Sequence, residues 1–370
     1  MEGAANLAHV VAWGGLVIGL VVGFIGNKTD FCTLGAVSDL VNMGDWGRMH
    51  MWLLAIGVAI LGANGLELTG LVDLDKSIYR TPNFIWFSYI LGGFLFGVGM
   101  TLASGCGTKT LMRIGGGNLK SIVVFIVLGL VAYVTMKGVL GVMRVNFLEP
   151  IAIHFRTSQD LPTLLSEATG IARRASQLGL TLLLGGGLVV LALSHRSSRT
   201  FDPLLGGVGI GLAIVAGWYL TGHIGFGENP DTLEMIHFGT NSHRPESVTN
   251  VAPFAYTLEL LMLWSDASLT VTFAIAVVAG IVLGAFVHAL MTGRFRVEGF
   301  HGADDTGRHL LGAALMGFGG VVAMGCTFGQ GISGFSTLAL GSILTFFCIV
   351  AGSAATMKYQ YWLMTREATE

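Results

Sequence analysis

The four cysteines are the residues of this chain whose side chains could do chemistry. Cys32, Cys106, Cys326 and Cys348 include no C-x-x-C pair and no spacing with histidine that is typical of a metal site. The pattern argues against a disulfide framework, a zinc site and a thioredoxin-like centre, and it predicts no metal or other cofactor. Any function of these residues is therefore a function of free thiols.

Two of the cysteines stand in similar glycine-rich segments, Gly105–Thr108 and Gly325–Gly334. Small residues there leave successive backbone N–H groups unshielded, and such groups attract anions where solvent is scarce. Each turn is thus predicted to hold an oxyanion without a fixed full charge. The residues predicted to line the path or add donors beside the cysteines are Thr108, Lys109, Thr110, Arg113, Thr327 and Gln330.

The remaining two cysteines differ in context. Cys32 lies in Gly26–Gly35, a segment too polar to span a membrane and too apolar for an ordinary loop, so we predict that it dips into the same cavity. Cys348 lies within an apolar run and is expected to pack as a small hydrophobic residue. For Lys109 and Arg113, a role as basic anchors at the membrane interface is an equally good interpretation.

Composition shows what must position these residues. The chain has 370 residues, of which 53% are hydrophobic and 11% charged, whereas about a quarter of a soluble domain is charged. A bilayer is therefore its expected environment, and a net charge of −2 makes a nucleic-acid partner unexpected. We predict an all-α polytopic membrane protein of about nine transmembrane helices. The nine segments are approximately 9–26, 51–71, 84–103, 119–139, 177–194, 203–221, 268–291, 309–325 and 338–357.

Residues 309–357 contain no Asp, Glu, Lys or Arg, which makes this stretch too long for one span and leaves no hydrophilic loop to divide it. The chain is therefore expected to turn inside the membrane at Gly325–Gly334. Irregular backbone at that depth is tolerated only where it lines a cavity or is buried in protein. This reasoning predicts re-entrant loops at Cys326, and by similarity at Cys106 and Cys32.

An internal repeat accompanies the two Gly-Cys turns. Leu91, Gly92, Gly97, Gly99, Gly105 and Cys106 recur as Leu311, Gly312, Gly317, Gly319, Gly325 and Cys326. Five predicted crossings separate the copies, so they should run in opposite directions, as in inverted-repeat transporters and channels. We expect an N-terminal repeat at 1–141, a periplasmic connector at 142–176 and a C-terminal half at 177–370.

The distribution of basic residues predicts the orientation. An odd number of spans places the termini on opposite sides of the membrane. Most of the 20 Lys and Arg residues fall in cytoplasmic segments if the N-terminus is periplasmic and the C-terminus cytoplasmic.

With these residues in view, the chain resembles the YeeE/YedE-type sulfur-transport family, whose characterised members take up thiosulfate across the bacterial inner membrane. The resemblance covers most of the chain. It is carried by Phe31-Cys32, Leu91–Gly93, Ser104–Thr108 with Arg113, Gly117–Leu119, Pro245–Thr249, Gly293–Arg296 and Gly325–Gly331.

The resemblance implies an hourglass of nine spans with re-entrant loops pinching its centre, in the inner membrane. It further implies that Cys32, Cys106 and Cys326 pass thiosulfate along by weak S–H hydrogen bonds. A thiol is a weak donor, so such contacts can replace hydration without trapping the ion. Some members of the family work beside a small cytoplasmic sulfur-carrier protein, which is a possible partner here.

The main prediction is a transporter that is not an enzyme. Two other hypotheses compete with it. The first is a membrane-embedded thiol sulfurtransferase or oxidoreductase that forms a persulfide or disulfide with a partner. That chemistry needs a depressed thiol pKa or a resolving cysteine, and the sequence shows neither clearly. The second is a soft-metal transporter for Cu(I), which the scattered methionines disfavour.

Overall fold

The computed structural model describes residues 2–195, 199–230, 232–300 and 302–367. Within those ranges the chain is mostly helical, as predicted. The helices are α1 Glu2–Lys28, α2 Thr33–Ser38, α3 Gly47–Leu68, α4 Trp86–Leu102, α5 Gly107–Gly115, α6 Leu119–Lys137, α7 Val139–Met143, α8 Leu161–Thr169, α9 Arg173–Leu180, α10 Gly187–Ser194, α11 Phe201–Tyr219, α12 Val251–Met262, α13 Phe273–Met291, α14 Ala303–Val322 and α15 Leu340–Glu367.

Short elements connect these helices. Strands β1 Asn83–Phe84 and β2 Ile153–His154 form one antiparallel pair, and β3 Phe226–Glu228 and β4 Met235–His237 form another. Wider π-helical turns occur at Asp39–Met43, Arg144–Leu148, Thr181–Gly186, Leu220–Ile224 and Gly329–Gly334.

Eight helical stretches in the described ranges are long and apolar enough to cross a membrane. They coincide with eight of the nine predicted segments, and the chain is a multi-pass membrane protein. The ninth segment, 309–325, falls in α14, which has 20 residues but polar first turns. Its Asp305 carboxylate lies 2.7 Å from the Lys120 ammonium, and His309 stands one turn further along. These polar residues keep the hydropathy of α14 below that of the other spans.

Glycines allow the central helices to pack at backbone distance. A Cβ atom on Gly92 of α4 would lie 2.6 Å from the Gly319 carbonyl oxygen of α14, and one on Gly99 would lie 2.6 Å from that of Gly312. Lipid supplies no hydrophobic force between helices, so close contacts of this kind provide much of their association energy.

A buried arginine fastens the chain near the C-terminal end of α3. The Arg80 side chain is fully buried, and its Nη1 lies 2.6 Å from Glu67 Oε1 and 3.1 Å from Asp75 Oδ1. Its Nε donates to the Thr337 carbonyl at 2.9 Å. The segment that follows the Cys326 turn is therefore held to α3 by a charged hydrogen-bonded contact.

The α4–α14 crossing generates a stability prediction. Gly99→Ala should lower the free energy of unfolding by about 1–3 kcal/mol, because the added methyl overlaps the α14 backbone. Thermal unfolding of detergent-purified protein, followed by size-exclusion chromatography, measures the effect.

Gly65→Ala is the matched control, since an added Cβ meets nothing within 4 Å at that position in α3. It should leave the unfolding temperature unchanged or raised. Equal effects of the two substitutions would contradict the proposed close packing.

Candidate functional site

A short helical segment follows each of the three cysteines predicted to face a pathway, directly after Cys32 and Cys106 and from Gly329 after Cys326. Cys32 is the N-cap of α2, and its Sγ accepts a hydrogen bond from the Gly35 N–H at 3.4 Å. Cys326 Sγ accepts one from the Gly329 N–H at 3.3 Å. Cys106 is the N-cap of α5. The sequence had suggested a change from helix to loop at these sites, whereas the chain resumes a helix directly after Cys32 and Cys106 and within a few residues of Cys326.

The backbone breaks before Cys106 and Cys326 have the same geometry. α4 ends at Leu102 and α14 at Val322, and in each case the second residue after the helix is left-handed, with φ 56° at Ser104 and 58° at Met324. The next N–H returns to the helix, from Gly105 to the Met100 carbonyl and from Gly325 to that of Gly320. This pattern ends a helix while satisfying its last carbonyls. The left-handed residues are thus not the glycines that the sequence singled out.

All three thiols are as buried as the residues of the hydrophobic core. Cys32 is 6% exposed, Cys106 1% and Cys326 0%. Cys348 is partly exposed on α15, and its Cβ lies 3.0 Å from the position that a Cβ on Gly93 of α4 would occupy. The fourth cysteine therefore belongs to a helix contact, as expected from its sequence context.

The extended segment Pro245–Asn250 joins the Cys106 and Cys326 regions. Its Thr249 hydroxyl lies 4.0 Å from Cys326 Sγ, and the next residue, Asn250, donates from Nδ2 to the Thr108 hydroxyl at 2.5 Å. Thr249 and Asn250 thus lie between the two Gly-Cys turns and contact one turn each. The sequence analysis did not identify Asn250, although a polar pair next to an apolar helix was a visible signal.

A cavity of about 930 Å³ opens at the end of the molecule where α3 begins. Cys32, Ser104, Lys109 and Arg113 all line it. The Lys109 ammonium lies 3.0 Å from an Asp30 carboxylate oxygen, so its charge is paired rather than free to hold an anion. The structure therefore brings together one thiol and both predicted cations of α5.

Thr327 and Gln330 belong to the turn that follows Cys326. Both are almost fully buried. Gln330 Nε2 donates to the Ala323 carbonyl at 2.6 Å, which ties the Cys326 turn back to the end of α14. The Thr327 hydroxyl and Gln330 Oε1 have no hydrogen-bond partner among the described residues. Buried polar atoms in this condition are unusual and mark a place where a ligand or water can supply the bond.

Aromatic rings occupy the space between the Cys32 and Cys326 turns. Phe31 stacks on Trp52 at 4.7 Å between ring centroids, and Phe328 contacts Phe31 at 5.6 Å and Trp52 at 5.7 Å. Each ring is at most 1% exposed. The indole Nε1 of Trp52 has no hydrogen-bond partner in the described part of the chain. The cluster is apolar apart from this one unused donor.

A smaller cavity of about 400 Å³ lies near the opposite end of α3, and Lys76, Arg80, His237 and Arg244 line it. His237 Nδ1 lies 2.9 Å from the Thr221 carbonyl oxygen, and burial lowers the pKa of His237. Basic groups thus mark this end of the molecule as well.

Comparison with known proteins gives concordant matches. The model of a family described as sulphur transport matches residues 28–355. A thiosulfate transporter TsuA of Escherichia coli K12 is 27% identical over 332 residues, which cover 86% of each chain. A thiosulfate transporter TsuA of Spirochaeta thermophila is 25% identical over 362 residues, which cover 92% of this chain and 96% of the relative.

The position of Cys32 in the lining of the cavity near the start of α3 predicts which thiol reacts first. A membrane-impermeant, charged methanethiosulfonate should modify Cys32 first, because Cys32 alone of the four cysteines lines that cavity. Peptide mass spectrometry of the full chain, purified in detergent, resolves the rate at each cysteine.

Cys348 is the internal control, because its apolar surroundings exclude a charged reagent. Faster modification of Cys326 or Cys348 than of Cys32 would show that the cavity does not give access to the Cys32 turn.

Proposed function

Because this chain belongs to the sulphur transport family, we propose that it is a membrane transporter that carries thiosulfate or a closely related sulfur oxyanion. Two relatives covering most of its length are named as thiosulfate transporters. Both names describe a transporter rather than an enzyme.

The observation that carries this proposal is the placement of three buried thiols at helix breaks. Cys32, Cys106 and Cys326 each stand where backbone N–H groups begin a new helix, and the Thr249–Asn250 pair connects two of the three breaks. Backbone N–H groups and weak S–H donors can solvate an anion without holding it permanently. A lysine at the same depth would bind a dianion too tightly for rapid release.

We propose that the ion passes Cys326, Cys106 and Cys32, with Thr108 and Thr327 as additional hydroxyl donors. Lys109 and Arg113 would then act at the cavity that Cys32 lines. The unpartnered Thr327 hydroxyl supports this assignment, since an anion at the Cys326 turn would supply its missing acceptor. The aromatic cluster of Phe31, Trp52 and Phe328 would have to move for passage.

The proposed architecture is an inverted repeat with the breaks at Cys32, Cys106 and Cys326 as re-entrant loops in an hourglass. Reciprocal contacts support it. Gly92 packs on Gly319 and Gly99 on Gly312, which is the reciprocal pairing that a pseudo-two-fold axis between the two copies would produce. The units would be 1–141 and 177–370, joined by the connector 142–176.

We further propose a bacterial inner-membrane location with the N-terminus periplasmic and the C-terminus cytoplasmic. The cavity lined by Cys32, Lys109 and Arg113 then faces the cytoplasm, where the positive-inside bias places basic residues. A cytoplasmic sulfur-carrier protein could collect sulfur at that cavity.

Removal of a central thiol tests transport. Cys106→Ala should abolish growth on thiosulfate in a strain that lacks other sulfur uptake, because the path loses its donor beside the Thr108–Asn250 contact. Growth rate and uptake of ³⁵S-thiosulfate measure the effect, and immunoblotting of membranes checks insertion.

Cys348→Ala is the matched control and should grow like the unaltered protein. Undiminished growth of the Cys106→Ala strain would contradict a pathway through this thiol.

Mass spectrometry separates transport from the sulfurtransferase alternative. After exposure of the purified full chain to thiosulfate, the masses of the peptides containing Cys32, Cys106 and Cys326 should be unchanged. Hydrogen bonding leaves no adduct, whereas sulfur transfer to a thiol adds one sulfur atom to it. A stable persulfide at any of the three would favour the enzyme.

A further inference from the structure

Glu246 is a carboxylic acid close to the Cys326 turn that the pathway described above does not use. It lies three residues before Thr249, whose hydroxyl is 4.0 Å from Cys326 Sγ. The Glu246 N–H donates to the Thr221 hydroxyl at 3.1 Å, and its carbonyl accepts from the same hydroxyl at 2.6 Å. Both backbone groups are thus fixed on the π-helical turn after α11, which sets where the side chain begins.

The carboxyl group has no charged partner. Its Oε1 atom is buried and, among the described residues, receives no hydrogen bond, and Glu246 forms no ion pair there. The residue as a whole is partly exposed, but a carboxylate oxygen that is buried without a donor or a cation is costly, which favours the neutral acid. Burial alone raises the pKa of Glu246 to about 8.

Tyr79 is a titratable neighbour of Glu246 on the side of the Cys326 turn. Tyr79 is almost fully buried, and burial together with the neighbouring Cys326 and Glu246 side chains raises the pKa of its phenol. The Tyr79 hydroxyl lies 3.6 Å from where a Cβ on Gly329 would stand, three residues beyond Cys326. Tyr79 therefore connects Glu246 with the Cys326 turn.

Two other elements, and Arg244 in the preceding part of the same loop, face this region. α12 contributes the phenol of Tyr256. β4 contributes His237, whose ring bonds the Thr221 carbonyl and whose pKa is lowered by burial, with Lys76 and Asp73 also acting on it. Arg244, two positions earlier in the chain, is exposed at the smaller cavity.

This arrangement makes anion binding and proton binding mutually dependent. A dianion at the Cys326 turn repels an ionised Glu246, whereas the protonated acid carries no charge and can donate a hydrogen bond. The repulsion acts through a buried region, where solvent screens charges weakly.

Building on the proposed function, we propose that Glu246 couples substrate binding to protonation, so that the Cys326 turn accepts a sulfur dianion only when the Glu246 carboxyl carries a proton. The proton comes from solvent and binds a carboxylate oxygen, and no bond to sulfur forms or breaks. At alkaline pH each bound dianion is thus accompanied by one added proton.

The pH dependence of thiosulfate binding tests the proposal. Thiosulfate stays fully ionised between pH 6.5 and 9.5, so changes in Kd report on the protein. Isothermal titration of the full chain in detergent should give a constant Kd up to about pH 7. Above pH 8 the Kd should rise toward about tenfold per pH unit, because the dianion binds only the protonated form.

Glu246→Gln should remove this dependence, because the amide keeps the shape of the neutral acid and cannot ionise. Its Kd at pH 6.5 should lie within about threefold of that of the unaltered protein and stay constant to pH 9.5. Glu228→Gln, at an exposed position in β3, is the matched control and should retain the full dependence.

A second measurement needs no variant. In weakly buffered solution at pH 8.5, binding of thiosulfate to the unaltered protein should remove more than about half a proton per bound ion from the medium, as expected for a group with a pKa of about 8.

A pH-independent Kd for the unaltered protein, or no proton uptake, would overturn the role of Glu246 while leaving thiosulfate transport intact. A Glu246→Gln protein that keeps the alkaline loss of affinity would place the coupling on another group, such as the Cys326 thiol or the Tyr79 phenol. Absence of thiosulfate binding at every pH by correctly folded protein would instead contradict the proposed function itself.

Discussion

The requirement that buried backbone groups be hydrogen-bonded governs this structure. A chain that leaves the helical path inside an apolar bundle exposes N–H and C=O groups that lipid cannot satisfy. Here the helix breaks at Ser104 and Met324 return their N–H groups to the preceding helix, and a new helical segment follows each cysteine or begins within a few residues of it. At two of the breaks the thiol itself accepts a backbone hydrogen bond, Cys32 from Gly35 and Cys326 from Gly329.

Side chains complete this pairing and link the breaks to one another. Gln330 ties the Cys326 turn to Ala323, and Asn250 reaches Thr108 beyond the Cys106 break. Arg80 holds the far side of the Cys326 region through Thr337. Three elements distant in sequence thus meet at one place through hydrogen bonds between neutral groups, with a charged contact only at the edge.

Paired charged side chains lie toward the two ends of α3. The Lys109 ammonium is paired with Asp30 at the cavity near the start of α3, and Arg80 is paired with Glu67 and Asp75 near the other end of that helix. Between these ends lie thiols, hydroxyls, amides and aromatic rings, and among the described residues the Glu246 Oε1 atom there has no hydrogen-bond partner. The Lys109 and Arg80 charges are thus neutralised by carboxylates, and neither is left free to hold an anion.

The sequence by itself determined the helical class, eight apolar spans and the position of two Gly-Cys breaks, because hydrophobic length and glycine-rich interruptions are local properties of the chain. It also separated Cys348, in an apolar run, from the other cysteines. Only the tertiary structure decided that Ser104 and Met324 take the left-handed conformation, and that Gln330 turns inward to Ala323. The same holds for the meeting of Thr249 and Asn250 with the two breaks, and for the isolation of the Glu246 carboxyl. These features depend on which residues far apart in the chain come into contact, and local pattern carries no information about such contacts.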